Sequence, residues 1–115
     1  MKLLNRSGIS IRPKQPFYEW LQANFNEELP TFEELCSEGN IYLFDEVESE
    51  EDFASALDQH WAAILENELG AWDEFGDCWP ELMRATFDSW LAVDLQLMSF
   101  DLSKQPLMRA DLDIG

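Results

Sequence analysis

The sequence predicts an α+β (or α/β) fold, with a small sheet of about three strands packed by three to four helices. In several segments apolar residues recur at spacings of three and four, which is the period of an amphipathic helix. In other short segments they alternate with polar residues or form a compact run of β-formers, which is typical of strands. The chain has 115 residues, of which 46% are hydrophobic, so we expect one domain over residues 1–115.

The first predicted elements are a short strand and a helix. Ile9 and Ile11 alternate with polar residues and predict a strand that Pro13 ends. Pro16 suits the first turn of a helix, where a missing N–H costs nothing. The apolar stripe of this helix has spacings of three, one and four and consists of Phe17, Trp20, Leu21 and Phe25.

A short helix and a second strand follow Pro30. Thr31 and Glu34 have the spacing of a capping box and predict a helix that runs through Leu35, with Gly39 as its stop. The run of residues 41–44, IYLF, is too short for a helix and rich in β-formers. It predicts a buried strand.

The longest helix is predicted to begin at Ser49, after which Glu50, Glu51 and Asp52 face the positive end of the helix. The acidic run of residues 45–52 could also hold a cation, but the helix start explains its composition better. The apolar stripe of this helix consists of Phe53, Leu57, Trp61, Ile64, Leu65 and Leu69. We expect the helix to end at Gly70 or near Gly76.

The last predicted elements are a helix and a strand. Trp79-Pro80 predicts a helix start with proline at its first position, and the buried face would consist of Leu82, Met83, Phe87, Trp90 and Leu91. From Val93 apolar residues alternate with polar ones, which predicts a strand through about Leu102. A helix that continues to Met98 is the alternative. Residues 103–115 are predicted to be a loosely ordered tail.

The distribution of charge is the strongest functional signal. The formal net charge is −17, and residues 15–83 contain nineteen Asp or Glu and no Lys or Arg. Such a chain repels nucleic acid and anionic membranes, which bind clustered cations, and it attracts basic protein surfaces. We expect the acids from Glu27 to Glu81 to form one broad acidic face.

The cellular location is predicted from absences. The first residues lack the apolar run of a signal peptide, and no stretch is long and apolar enough to span a membrane. Cys36 and Cys78 are far apart and form no CxxC motif, so reduced thiols in a cytoplasmic protein are expected.

Catalytic and metal motifs are not found in the sequence. His60 is the only histidine, and Leu57 and Ile64 occupy positions where an ExxH or HxxxH motif would need a ligand. Cys36 could act as a nucleophile with His60 as its base, but no local pattern supports this pair. Carboxylate pairs arise from composition alone. We therefore predict no catalytic residue, metal or other cofactor.

A protein-interaction module that binds a basic protein surface is the function that these features favour. Charge would speed association, and an aromatic patch would supply affinity. The candidate interaction residues are Glu50, Glu51, Asp52, Trp72 and Trp79. The alternative is a small hydrolase or a metal-dependent enzyme that uses carboxylates near His60.

Two segments resemble those of a known family. Residues 12–17, RPKQPF, are followed by Trp20-Leu21, and Trp90 is followed by residues 98–102, MSFDL. This combination is similar to a family of short acidic proteobacterial proteins. The resemblance implies a stand-alone, cytoplasmic, single-domain protein, and it supplies no catalytic residues. Independently of it, Arg12 and Lys14 are predicted to pair with the acidic body.

Overall fold

A computed structural model describes residues 1–25 and 28–112 and shows a mixed α+β fold, as the sequence predicts. The helices are α1 (Gln15–Asn24), α2 (Phe32–Ser37), α3 (Glu50–Gly70) and α4 (Arg84–Trp90). The strands are β1 (Lys2–Leu4), β2 (Arg6–Pro13), β3 (Asn40–Asp45), β4 (Leu91–Gln96) and β5 (Ser99–Asp101).

All strand pairs are antiparallel, and β2 is the central strand of a three-stranded sheet with the order β3-β2-β4. The short strands β1 and β5 pair separately. Leu4 pairs with Ser99 and Gly8 pairs with Gln96, so the first chain segment has one residue more than its partner between these pairs. The two ladders therefore do not continue one another in register, and they form separate sheets.

The core lies between the helices and one face of the sheet. Ile9 and Ile11 of β2 are almost fully buried there, and the strand alternates because successive side chains point to opposite faces. The other buried hydrophobic residues of this core are Phe17, Trp20, Leu21, Ile64, Leu65, Leu69, Phe87 and Leu91. The predicted stripes of α1 and α3 are therefore confirmed at their buried centres.

The predicted helix starts of α1, α2 and α3 are confirmed. Pro16 occupies the first turn of α1. The backbone N–H of Glu34 donates to the Thr31 hydroxyl at 3.2 Å, and that of Asp52 donates to the Ser49 hydroxyl at 3.1 Å. Each hydroxyl satisfies one of the donors that a helix N-terminus leaves free. The long helix ends at Gly70, one of the two predicted stops.

The strand predicted at residues 41–44 exists, but the prediction that it is buried is wrong. Ile41 is 68% exposed and Leu43 is 50% exposed, whereas Tyr42 and Phe44 between them are half-buried. The physical reason is that β3 is an edge strand with one face against α3 and the other open. A run of apolar residues does not reveal that only alternate ones are covered.

The helix start predicted at Trp79-Pro80 is also wrong. Residues 71–83 form turns and irregular backbone, and α4 begins only at Arg84. Leu82 and Met83, which were expected in a buried face, are exposed. Turn contacts made by Asp73 hold this segment in a non-helical path. The buried positions predicted further on, Phe87 and Leu91, are confirmed.

The alternation from Val93 onward does form strands, so the helical alternative is wrong. The strand is interrupted at Leu97 and Met98, because β4 pairs with β2 whereas β5 pairs with β1 in a separate sheet. Residues 103–112 of the tail are exposed and have no regular secondary structure, and residues 113–115 lie outside the described part of the chain.

Candidate functional site

Residues 71–83, called the acidic loop below, are held together by Asp73. Its carboxylate accepts the backbone N–H of Asp77 at 3.3 Å and that of Cys78 at 2.7 Å. Its carbonyl accepts the backbone N–H of Gly76 at 3.2 Å and the indole N–H of Trp79 at 2.9 Å. One residue thus organises a tight turn, as Asp does when its side chain bonds to backbone a few residues on.

The acidic loop is also fixed to the core. The indole N–H of Trp20, a buried residue of α1, donates to the carbonyl of Cys78 at 2.8 Å. Gly76 has a φ of 75°, which side chains rarely permit, and a Cβ there would lie 3.4 Å from the Trp79 ring. The backbone of the loop is therefore held in one defined shape.

The tip of the acidic loop presents an exposed aromatic side chain in a stretch that is rich in carboxylates. Phe75 is 84% exposed, and Glu74, Asp77 and Glu81 around it in the sequence are exposed too. Phe75 is not among the interaction residues predicted from the sequence, because Trp72 and Trp79 are the larger aromatic residues of the same segment. The signal that could have found it is its place between Glu74 and Gly76 in a stretch without helical period.

The structure separates the candidate interaction residues into two groups. Glu50, Glu51 and Asp52 are exposed in the first turn of α3, whereas Trp72 and Trp79 follow its C-terminal end. The helix has 21 residues, so its ends are about 30 Å apart at 1.5 Å per residue. Glu27, the start of the expected acidic face, lies outside the described residues.

The two tryptophans are half-buried rather than freely exposed. Trp72 and Trp79 both pack against the hydrophobic core. Trp72 also lines a small pocket of about 140 Å³ that Glu38 and Glu68 border. Each tryptophan therefore helps to hold the base of the acidic loop, and most of the aromatic surface at the tip belongs to Phe75.

His60 borders an apolar groove between β3 and α3, called the β3–α3 groove below. Its ring lies beside that of Phe44, with the centroids 6.3 Å apart. The groove has a volume of about 230 Å³, and its lining consists of Tyr42, Leu43, Phe44, His60, Ala63, Ile64, Asn67 and Leu112. No carboxylate and no cysteine belongs to the described lining, so His60 has no acid or thiol partner there.

The two cysteines lie outside the β3–α3 groove. The Cys36 thiol donates a hydrogen bond to the Pro13 carbonyl, with sulfur and oxygen 3.6 Å apart. Cys78 is exposed in the acidic loop. Within residues 1–25 and 28–112, no group of three or more His, Cys, Asp or Glu side chains is placed to hold a metal ion. In the same ranges no helix combines the length and apolar character that crossing a membrane requires.

A hydrogen-bonded cluster lies beside the groove. The Tyr42 hydroxyl donates to the Glu68 carboxylate and accepts the amide N–H of Asn67 at 2.8 Å, while the Asn40 amide donates to Glu68 at 2.8 Å. Burial, together with the nearby Glu68 charge, raises the pKa of Tyr42 far above its usual range. The phenol therefore stays protonated and serves as a structural link between β3 and α3.

Few of the carboxylates are neutralised. Among the described residues, ion pairs join Arg12 to Asp94 at 2.8 Å and Arg84 to Asp58 and Asp88 at 2.7 and 3.0 Å. Lys14 donates to the backbone carbonyl of Asp88 rather than to a carboxylate. The pairing expected for Arg12 is thus present, and these pairs leave the acidic loop and the start of α3 without a bonded cation in the described structure.

The uncompensated charge predicts a salt-dependent stability. Repulsion among the acids destabilises the folded state when it is not screened, and ions screen it over about 10 Å at 0.1 M salt. We expect the melting temperature to rise between very low and moderate salt. Calorimetric melts in a chloride series measure it, and a melting temperature that stayed constant or fell would contradict it.

Comparisons with known proteins identify no relative of this chain. No family model, no curated protein and no solved structure matches it. The similarity to an acidic proteobacterial family therefore stays a prediction.

Proposed function

We propose that this chain is a non-enzymatic interaction protein that binds a basic protein surface through the acidic loop. The single observation that carries the proposal is the exposure of Phe75 at the tip of a tied, carboxylate-rich turn. An aromatic anchor within a polar rim is the arrangement in which a few residues supply most of the binding free energy.

The rigidity of the loop supports this role. Hydrogen bonds fix the backbone on both sides of Phe75. Asp73 accepts them from the backbone of Asp77 and Cys78, and the Cys78 carbonyl accepts one from the Trp20 indole. A loop that is ordered before binding loses less conformational entropy when the partner arrives. The fixed turn is therefore suited to present one side chain to a pocket on the partner.

The charge supports the choice of partner. Glu74, Asp77 and Glu81 are exposed on a chain of net charge −17, so a cationic protein is attracted from a distance. Such steering raises association rates by roughly 10–10³ and weakens as salt rises. The same field opposes direct binding of nucleic acid or of an anionic membrane, and neither is part of the proposal.

The β3–α3 groove gives the enzyme alternative little support. A hydrolase or metal-dependent enzyme at His60 needs carboxylates beside the imidazole, and the described lining provides an amide, a phenol and apolar groups. We include a cytoplasmic location in the proposal, because Cys36 and Cys78 are both free thiols and reduced thiols are typical of that compartment.

The test compares three double charge reversals that change the net charge equally. They are Glu74→Lys with Asp77→Lys in the acidic loop, Glu50→Lys with Glu51→Lys at the start of α3, and Glu19→Lys with Glu33→Lys as the control on α1 and α2. Basic proteins captured from lysate at low salt are identified, purified and measured by stopped-flow association. We expect the acidic-loop pair to slow association most and to reduce its salt dependence.

The alternatives give different results. The strongest effect at Glu50 and Glu51 would move the interface to the start of α3 and contradict the acidic-loop assignment. Equal effects of all three pairs would show only a diffuse field. If no basic protein is captured at low salt while the purified chain turns over a small molecule, the enzyme alternative replaces the proposal.

A further inference from the structure

The β3–α3 groove suits an apolar occupant and offers little to a polar one. Ile64 of its lining is 4% exposed and belongs to the core, and Tyr42 and Phe44 pack against that core. The Asn67 amide donates to the Tyr42 hydroxyl at 2.8 Å, so these two polar groups of the lining bond to each other. An apolar cavity of about 150 Å³ binds benzene. The groove, at about 230 Å³, therefore has room for a leucine side chain.

One residue of the tail lies at this groove. Leu112 belongs to the lining, and no other residue of the described tail, 103–112, does. Leu112 is 72% exposed, so its contact with the groove is shallow. Leu107 is equally exposed but lies outside the lining. The contact is therefore particular to Leu112 and is not a general property of apolar residues in the tail.

The start of the tail is bonded to the body as well. The ammonium group of Lys2, which belongs to β1, donates to the Ser103 carbonyl at 3.1 Å. Leu107 and Met108, farther along, are 72% and 86% exposed. The tail therefore contacts the rest of the chain near Ser103 and again at Leu112, and the part between these two contacts includes exposed apolar side chains.

Charge favours a tail that lies on the body of its own chain. Residues 103–112 carry Lys104 and Arg109 with one acid, Asp111, whereas residues 15–83 carry nineteen acids and no Lys or Arg. A segment with a small positive charge is attracted to such a body. A second copy has a net charge of −17 and is repelled as a whole, so the tail of the same chain is the favoured occupant of the groove.

We propose that the tail is a displaceable strap, in which Leu112 docks in the β3–α3 groove of the same chain and limits access to it. The groove then has a covered state and an open state, and a molecule that enters it must displace Leu112. Such competition lowers the apparent affinity in proportion to the open fraction. The groove is thus a binding site for a small neutral apolar group, and the tail controls its access.

The test compares two serine substitutions in the full chain. Leu112→Ser removes the docking side chain, and Leu107→Ser makes the same change at a tail residue of equal exposure outside the groove. Toluene, a neutral apolar probe, is titrated while NMR follows the Ile64 methyl and His60 ring signals. We expect Leu112→Ser to bind toluene at least about threefold more tightly, as when a strap covers about two thirds of the molecules. Leu107→Ser should bind it as the unmodified chain does.

Nuclear Overhauser effects in the unmodified chain give a second reading that does not depend on the variants. They should join the Leu112 methyl protons to the Ile64 methyl or the His60 ring, and saturating toluene should remove them. The proposal is overturned if these effects are absent, if Leu112→Ser and Leu107→Ser bind toluene equally, or if Leu112→Ser binds none. Effects between separately labelled copies would show that the tail docks on another molecule, which also overturns it.

This inference is separate from the proposed function. The described lining of the β3–α3 groove includes no residue of the acidic loop, so a strap over the groove leaves Phe75 available. A chain without the strap that still bound a basic protein would overturn only this inference. A strapped chain that captured no basic protein would overturn only the proposed function.

Discussion

Leu65→Ala is expected to lower the free energy of unfolding by about 2–5 kcal/mol, as removal of a large buried side chain does. Leu65 is fully buried and belongs to the core cluster together with Ile11, Leu21 and Phe87. The substitution removes the isopropyl group of Leu65 and leaves a cavity in this core. Urea titration followed by tryptophan fluorescence measures the change.

The matched control for this prediction is Leu107→Ala. Leu107 is 72% exposed in the tail, so the same chemical change should alter the unfolding free energy by less than about 0.5 kcal/mol. Equal effects of the two substitutions would show that α3 does not face the core with Leu65. A loss confined to Leu107 would contradict the packing altogether.

Phe75→Ala is expected to weaken binding to the basic partner by about 2 kcal/mol or more, which is roughly 30-fold. The loss should appear mainly in the dissociation rate, because an anchor acts after the charges have brought the partners together. Stability should change little, since Phe75 is 84% exposed. Surface plasmon resonance at fixed salt separates the two rate constants.

Phe100→Ala is the matched control for the anchor. It removes an exposed phenyl ring from β5 rather than from the acidic loop. Affinity for the basic partner should stay within a few-fold of the unmodified chain. If Phe100→Ala weakened binding as strongly as Phe75→Ala, the acidic loop would not be the anchoring site.

Local physical rules account for the elements that the sequence predicted well. The Ser49 and Thr31 caps, Pro16 in the first turn of α1 and the stripe through Leu65 each depend on residues within a few positions of one another. Hydrogen-bonded caps and the 3.6-residue period act within single helices. These features can therefore be read from the chain without any knowledge of its neighbours.

The misplaced helix start and the failure to single out the exposed Phe75 share one cause. Trp79-Pro80 has the pattern of a helix start, but Asp73 bonds to the backbone up to five residues away and turns the chain before that point. The tip of that turn exposes Phe75. Hydrogen bonds from an Asp side chain to nearby backbone compete with helix formation. In the turn that results, the Cys78 carbonyl accepts the indole N–H of Trp20 in the core.

The α+β class, most element positions and the acidic character could be predicted from the chain alone, because period, capping and composition are local or summed properties. Which faces of the elements are covered became clear only from the fold. It placed β3 at an edge, which exposes Ile41 and Leu43, and it placed the two groups of candidate interaction residues at opposite ends of α3. Exposure depends on which elements meet, and that depends on contacts between residues far apart in the chain.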